Sequence, residues 1–174
     1  MIDFIPVKNL ELHESSLIKL NEEYLSWIVD EVQQRYNIDA ESVIGVSIGE
    51  YVKIFLKDLS AYIPPNGIYY ILQVKGSIIG MGALRKIKKG VGEIKRMYIQ
   101  PKYRGNGHGK ELLEQLLKKG QEFGFSSIRL DTGKFMAAAQ RVYRLAGFQE
   151  REGCPESEVP NFFLPHWLFM EKFI

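Results

Sequence analysis

Val91-Gly92-Glu93-Ile94-Lys95-Arg96-Met97-Tyr98-Ile99 runs through Arg104-Gly105-Asn106-Gly107-His108-Gly109 into Lys110-Glu111-Leu112-Leu113-Glu114-Gln115-Leu116-Leu117, and this succession decides how the chain folds. The first part alternates apolar and polar residues, which predicts a strand. The last repeats Leu at helical spacing, so a helix begins within the glycines. A strand that passes through a glycine loop into a helix N-terminus builds an anion site. Glycine lets the backbone come close, the first N–H groups of the helix have no partner, and the helix dipole favours negative charge. A ligand that carries phosphate is implied.

Spacing separates the loops that work this way. A phosphate loop of the Walker type needs four residues between its glycine and Gly-Lys, then Ser or Thr. Here Gly105 and Gly109 enclose Asn106, Gly107 and His108, and Glu111 follows Lys110. A dinucleotide fold needs G-x-G-x-x-G close behind its strand. Gly105 and Gly107 are present and Asp131 stands at a suitable distance, but Lys110 takes the place of the third glycine. Gln100 to Arg104 also separate strand from loop.

Arg104-x-x-Gly107-x-Gly109 resembles the Q/R-x-x-G-x-G/A signature of the GNAT superfamily of N-acetyltransferases. The resemblance continues through Ile128-Arg129-Leu130-Asp131-Thr132 to Ala139-x-x-x-Tyr143-x-x-x-Gly147-Phe148, and covers about a third of the chain. The wording E-x-K-R-x-Y and R-L-D-T is similar to that of small prokaryotic members. The family implies an α/β fold with a mixed, mainly antiparallel sheet of six or seven strands and helices on both faces. It also implies acetyl-CoA as cosubstrate.

Composition sets the bounds. A chain of 174 residues with 45% apolar and 25% charged residues suits a single domain over 1–174 with a sizeable core. A net charge of +2 is too small to suggest a nucleic-acid partner on its own, and with no recognised motif beside the basic residues none is expected. Cys154 is alone, which fits a reducing, cytoplasmic setting. No apolar run approaches the ~18 residues of a membrane span.

Along the chain, Ile2 to Pro6 predicts a first strand, and Leu17 to Val32 a long helix broken by 39–45. A second helix carries Ile48 to Leu59 and ends at Pro64-Pro65-Asn66-Gly67. Strands at 68–74, 78–84 and 91–99 form a meander. A helix over 107–123, a strand at 126–131, a helix over 135–146, and strands at 148–151 and 163–173 complete the chain.

The resemblance assigns roles residue by residue. Met97, Tyr98 and Ile99 pair their backbone with the pantetheine arm, as an added strand would. Arg104, Gly105, Asn106, Gly107, His108, Gly109 and Lys110 hold the pyrophosphate, with His108 a spacer. Glu93 is the candidate general base. An amine acceptor with pKa ~10.4 is neutral in about one molecule in a thousand near pH 7.4, a deficit of ~4 kcal/mol that calls for one. The other reading of Glu93 is an ion-paired or solvated glutamate beside Lys95 and Arg96. Tyr143 is placed to protonate the departing thiolate, its other reading being a core tyrosine. Met136 stands where many members carry a coenzyme-contacting Asn. The basic residues Arg85, Lys86, Lys88, Lys89, Lys102 and Arg104 attract the phosphates or lie solvated, and no metal site is expected.

The expectation is transfer of acetyl from acetyl-CoA to a primary amine by direct attack in a ternary complex. Cys154 lies outside the motifs, against an acyl-cysteine route. A non-catalytic acyl-CoA-binding or sensing module is the alternative, and would not need Glu93 or Tyr143. The acceptor, a small molecule or peptide, would be chosen by the first two helices and the 152–165 loop. There Tyr62, Phe162, Phe163 and Trp167 hint at an apolar portion. A homodimer is left open.

Overall fold

A computed structural model describes residues 2–57, 59–153 and 158–174; Cys154 and its proposed bystander role lie outside them. The elements are β1 (Ile2–Pro6), α1 (Glu14–Tyr36), α2 (Ala40–Ile44), α3 (Ile48–Lys57), β2 (Gly67–Val74), β3 (Ser77–Lys88), β4 (Val91–Ile99), α4 (His108–Glu122), β5 (Ser127–Gly133), α5 (Ala137–Leu145), β6 (Gln149–Arg151) and β7 (Trp167–Phe173). Seven strands form one sheet in the order β1-β2-β3-β4-β5-β7-β6. The β4–β5 pair is parallel and every other pair antiparallel. The expected mixed, mainly antiparallel α/β architecture is the observed one.

The apolar run Ile68-Tyr69-Tyr70-Ile71-Leu72 is buried throughout, as a strand covered on both faces must be. Its even-numbered residues join Ile94, Leu112, Leu113, Leu116 and Ile128 beneath α4. Tyr69 and Ile71 join Leu17, Leu20, Val52 and Leu56 beneath α1 and α3. Each such side chain removed from water contributes roughly 1.5–3 kcal/mol, so the two cores clamp the sheet between helical layers.

Several boundaries differ from the sequence reading, among them the end of β3, which runs on to Lys88 rather than stopping at 84. The break expected at 39–45 contains α2, because the Asp39 carboxylate accepts the Ser42 N–H at 3.1 Å and caps a turn too short to show periodicity. The strand expected from Phe163 begins at Trp167. Asn161 to His166 form a 3₁₀ turn instead, and Pro165 has no N–H to give a ladder. The helix expected from Phe135 begins at Ala137.

Two irregularities of β4 shape the site. From Met81↔Tyr98 to Ala83↔Lys95 the strand carries one residue more than β3, and Arg96 takes φ +55° in that bulge. Lys95 and Arg96 therefore both serve the α1–α3 side, where Arg96 lies over Phe55, while Met97 packs on the α4 core. On its other edge β4 pairs with β5 only as far as Ile94↔Leu130, although β5 runs on to Gly133 against β7. Beyond that pair the two parallel strands part.

Candidate active site

The parting strands open into a cavity of about 610 Å³. Met97, Tyr98 and Ile99 form one wall, and their backbone edge toward β5 has no strand partner among the described residues. The glycine turn forms the mouth. Gly105 and Gly107 hold φ +81° and +84°, a region that costs an L side chain about 1–2 kcal/mol per residue. Apart from their chain neighbours, no atom of the described residues lies within 4 Å of where a Cβ of either would stand. Gly107 is the N-cap of α4 without a side-chain cap, and the first backbone bonds run from Lys110 and Glu111 to its carbonyl. The N–H groups of His108 and Gly109 are left without an acceptor among the described residues. Outward-aimed donors at the positive end of a 15-residue helix are an anion receptor.

The predicted loop side chains divide. Arg104, Gly105, Gly107, His108, Gly109 and Lys110 line the cavity, and Asn106 does not. The Asn106 amide turns back to donate to the carbonyls of Tyr103 and Arg104, bracing the turn. Arg104 donates to the Ile99 carbonyl at 2.9 Å and rests over the rings of Trp27 and Tyr98, so its reach to a phosphate requires a swing of the side chain. Lys110 is exposed, 3.7 Å from Glu114.

Tyr143 sits on the turn of α5 that faces the cavity, packed against Phe148 and buried. Its hydroxyl has no hydrogen-bond partner among the described residues. Burial raises its pKa well above the phenol range, with Tyr24 and Asp131 adding to the effect, so it remains a protonated donor. Met136 caps the start of the same helix and is buried against the Thr132 hydroxyl.

Glu93 lies off the cavity wall. One carboxylate oxygen takes two guanidinium contacts from Arg85, at 2.9 and 2.7 Å, and the other lies 3.7 Å from Lys95. Above it Lys95 reaches Asp131 at 2.9 Å and Glu158 at 3.6 Å, and Arg85 reaches Glu158 at 2.6 Å. Burial pushes the Glu93 carboxyl above the usual carboxylate range against the pull of Lys95 and Arg85. Burial acts on Glu158 in the same sense, but Lys95 and Arg85 carry it below its ordinary value. Desolvation would discharge Lys95, and Asp131, Glu93 and Glu158 more than reverse that.

Sequence reasoning missed this cluster. Arg85 was expected among the phosphate-attracting or solvated cations, yet it turns inward to two carboxylates. Asp131 was read as a structural residue at a strand end, and it accepts from both Lys95 and the Trp167 indole. The available signal was the alternation of Glu93 and Lys95 on one strand face opposite Arg85. Of the aromatic residues expected around an acceptor, Phe163 and Trp167 line the cavity, whereas Tyr62 is buried beneath the sheet and Phe162 is exposed. Among the described residues no group of His, Cys, Asp or Glu could hold a metal ion, and no helix is long and apolar enough to cross a membrane.

A sequence profile of the acetyltransferase (GNAT) family matches residues 22–148. The chain belongs to the GNAT family of acetyltransferases. It is 35% identical over 118 residues to the IAA acetyltransferase of Azospirillum brasilense, covering 67% of this chain and 74% of that protein. It is 23% identical over 125 residues to the uncharacterized N-acetyltransferase YjgM of Escherichia coli, covering 70% and 72%. In fold it is similar to an acetyltransferase from Streptococcus agalactiae (TM-score 0.72, 20% identity, 99% of this chain and 98% of that one). It is similar also to the PaiA N-acetyltransferase of Thermoplasma acidophilum, solved with coenzyme A (TM-score 0.71, 18% identity, 100% and 99%). As a GNAT member the chain is an acyltransferase, which displaces the reading as a non-catalytic module.

Proposed function

We propose that this GNAT protein transfers acetyl from acetyl-CoA to a primary amine by direct attack within a ternary complex. One observation carries the reading. A single cavity joins the unpaired edge of β4, the uncapped N-terminus of α4, the Tyr143 hydroxyl and the Lys95–Asp131–Glu158 cluster. The pyrophosphate binds the N–H groups of His108 and Gly109. Pantetheine runs along Met97 to Ile99 as an extra strand, which brings the thioester toward Tyr143. Tyr143 protonates the leaving thiolate.

The acceptor enters from the α1–α3 side, where the carboxylates attract its ammonium. Glu93 takes the proton through one water, because it is buried behind Lys95. Glu158, half-exposed on the cavity wall, faces both Lys95 and Arg85 and adds a third carboxylate beside the two cations. Bound acetyl-CoA and CoA support this reading if they raise the melting temperature, by ~2.7 kcal/mol at 100 times Kd. Thiol release from acetyl-CoA across a panel of amines tests the transfer itself. CoA binding without thiol release by any amine would overturn it.

A further inference from the structure

We propose that the acceptor carries a carboxylate together with its amine, as a free amino acid does, and that Arg96 holds that carboxylate. The inference rests on the acetyl-transfer reading and names its substrate class. Of the three cations around the acceptor side, Lys95 and Arg96 line the cavity and Arg85 does not, and two of the three are already matched. Lys95 faces Asp131, Glu93 and Glu158, and Arg85 faces Glu93 and Glu158. Arg96 has only rings beside it, Phe55 at 4.3 Å and Tyr51 at 5.5 Å from the guanidinium carbon. Among the described residues it has no carboxylate or carbonyl partner. Ring contacts steady a cation but leave the guanidinium fork, which fits a carboxylate with two parallel bonds, without an acceptor.

The bulge makes the position a built one. Its extra residue, with Arg96 at φ +55°, is what lets two successive side chains, Lys95 and Arg96, serve the same cavity. Arg85 and Lys95 against Glu93, Asp131 and Glu158 leave one negative charge in excess, which favours an ammonium. The second pole is Arg96. The two poles face one space, for Lys95, Arg96 and Asp131 line the same cavity and Lys95 and Arg96 are successive residues of β4. A molecule that offers an ammonium to one pole and a carboxylate to the other, a few bonds apart, satisfies both. A simple alkylamine would leave Arg96 unmatched.

The experiment pairs the twenty common amino acids with the carboxamides of those that bind or react. Binding is read by calorimetry on CoA-saturated protein, and turnover by thiol release from acetyl-CoA. The expected result is at least one amino acid that binds and turns over at least tenfold better than its carboxamide. Arg96→Gln should raise KM for the acid at least tenfold while kcat and CoA affinity change less than twofold. It should also bring acid and carboxamide to parity. Arg96→Lys, which keeps the charge and loses the fork, should recover part of the preference. Both replacements are L residues in the same φ as Arg96 and add no backbone strain. Carboxamides or plain amines that match the acids in wild type would overturn the anchor, as would an Arg96→Gln protein with an unchanged preference, or no binding by any amino acid. Acid-selective binding that Arg96→Gln abolishes, without thiol release from any amine, would uphold the anchor and sink the transfer reading.

Discussion

Ile94 and Leu130 are the last residues of β4 and β5 to face each other, and the sheet opens immediately beyond them. Leu130 continues into a strand that stays paired with β7 to Gly133, whereas Ile94 continues into the bulge at Arg96. The extra residue turns β4 away from its parallel neighbour. A gap in the middle of a sheet leaves backbone donors and acceptors unpaired, a costly arrangement unless a ligand or water occupies them. The cavity is therefore built from backbone first and side chains second.

Gly107→Val should abolish CoA binding with modest loss of fold. Apart from its chain neighbours, no described residue meets the new Cβ, so the cost to stability is the strain of a β-branched residue at φ +84°, about 2 kcal/mol. The side chain occupies the space in front of the helix N-terminus. Thermal shift with and without CoA checks this. Protection by CoA equal to that of wild type would show that the phosphates bind elsewhere.

Tyr143→Phe should lower kcat at least tenfold while CoA affinity changes little, since the ring keeps its packing on Phe148. Raising the pH should not rescue it, because the thiolate still lacks its donor. Full activity in a thiol-release assay would leave Tyr143 a wall residue.

Glu93→Gln should reduce turnover at least tenfold at pH 7 and recover as the pH rises, because solvent then supplies more neutral amine. The base must be ionised, and burial shifts its carboxyl upward, so the acid limb of the wild-type profile should lie above the ordinary glutamate value of ~4.3. A variant profile that overlays the wild type would remove Glu93 from proton transfer and leave it the partner of Arg85.

Asp131→Asn should destabilise the fold by about 2 kcal/mol, less than the ~3–5 kcal/mol for breaking a fully buried pair, because Glu93 and Glu158 still face Lys95. The drop in melting temperature should be about 4–8 °C for a chain of this size. Lys95 has its pKa raised in the folded state, so its pairing stabilises fully below the ordinary ~10.4 and fades as the pH rises beyond it. A melting curve unchanged at pH 7 would show that Lys95 gains nothing from Asp131.

Local pattern carried much of this protein. The apolar run at 68–74, alternation at 91–99, Leu spacing after Lys110, and glycines at 105, 107 and 109 are short-range signals, and they were enough for most strands, the helix start and the family resemblance that implied the sheet class. The α2 turn and the 3₁₀ turn before Trp167 were hidden because each is shorter than the period that reveals a helix. Where Arg85, Glu93, Lys95, Asp131 and Glu158 point was not legible, since they come from β3, β4, β5 and a loop 73 residues from Arg85. Only pairing across the sheet brings those charges within contact, and only the bulge, a mismatch of one residue between two strands, leaves Arg96 in the cavity with rings for neighbours. Strand and helix follow from residues a few positions apart, whereas a charge's partner is chosen by folding, because burial favours pairing with whatever opposite charge the topology supplies.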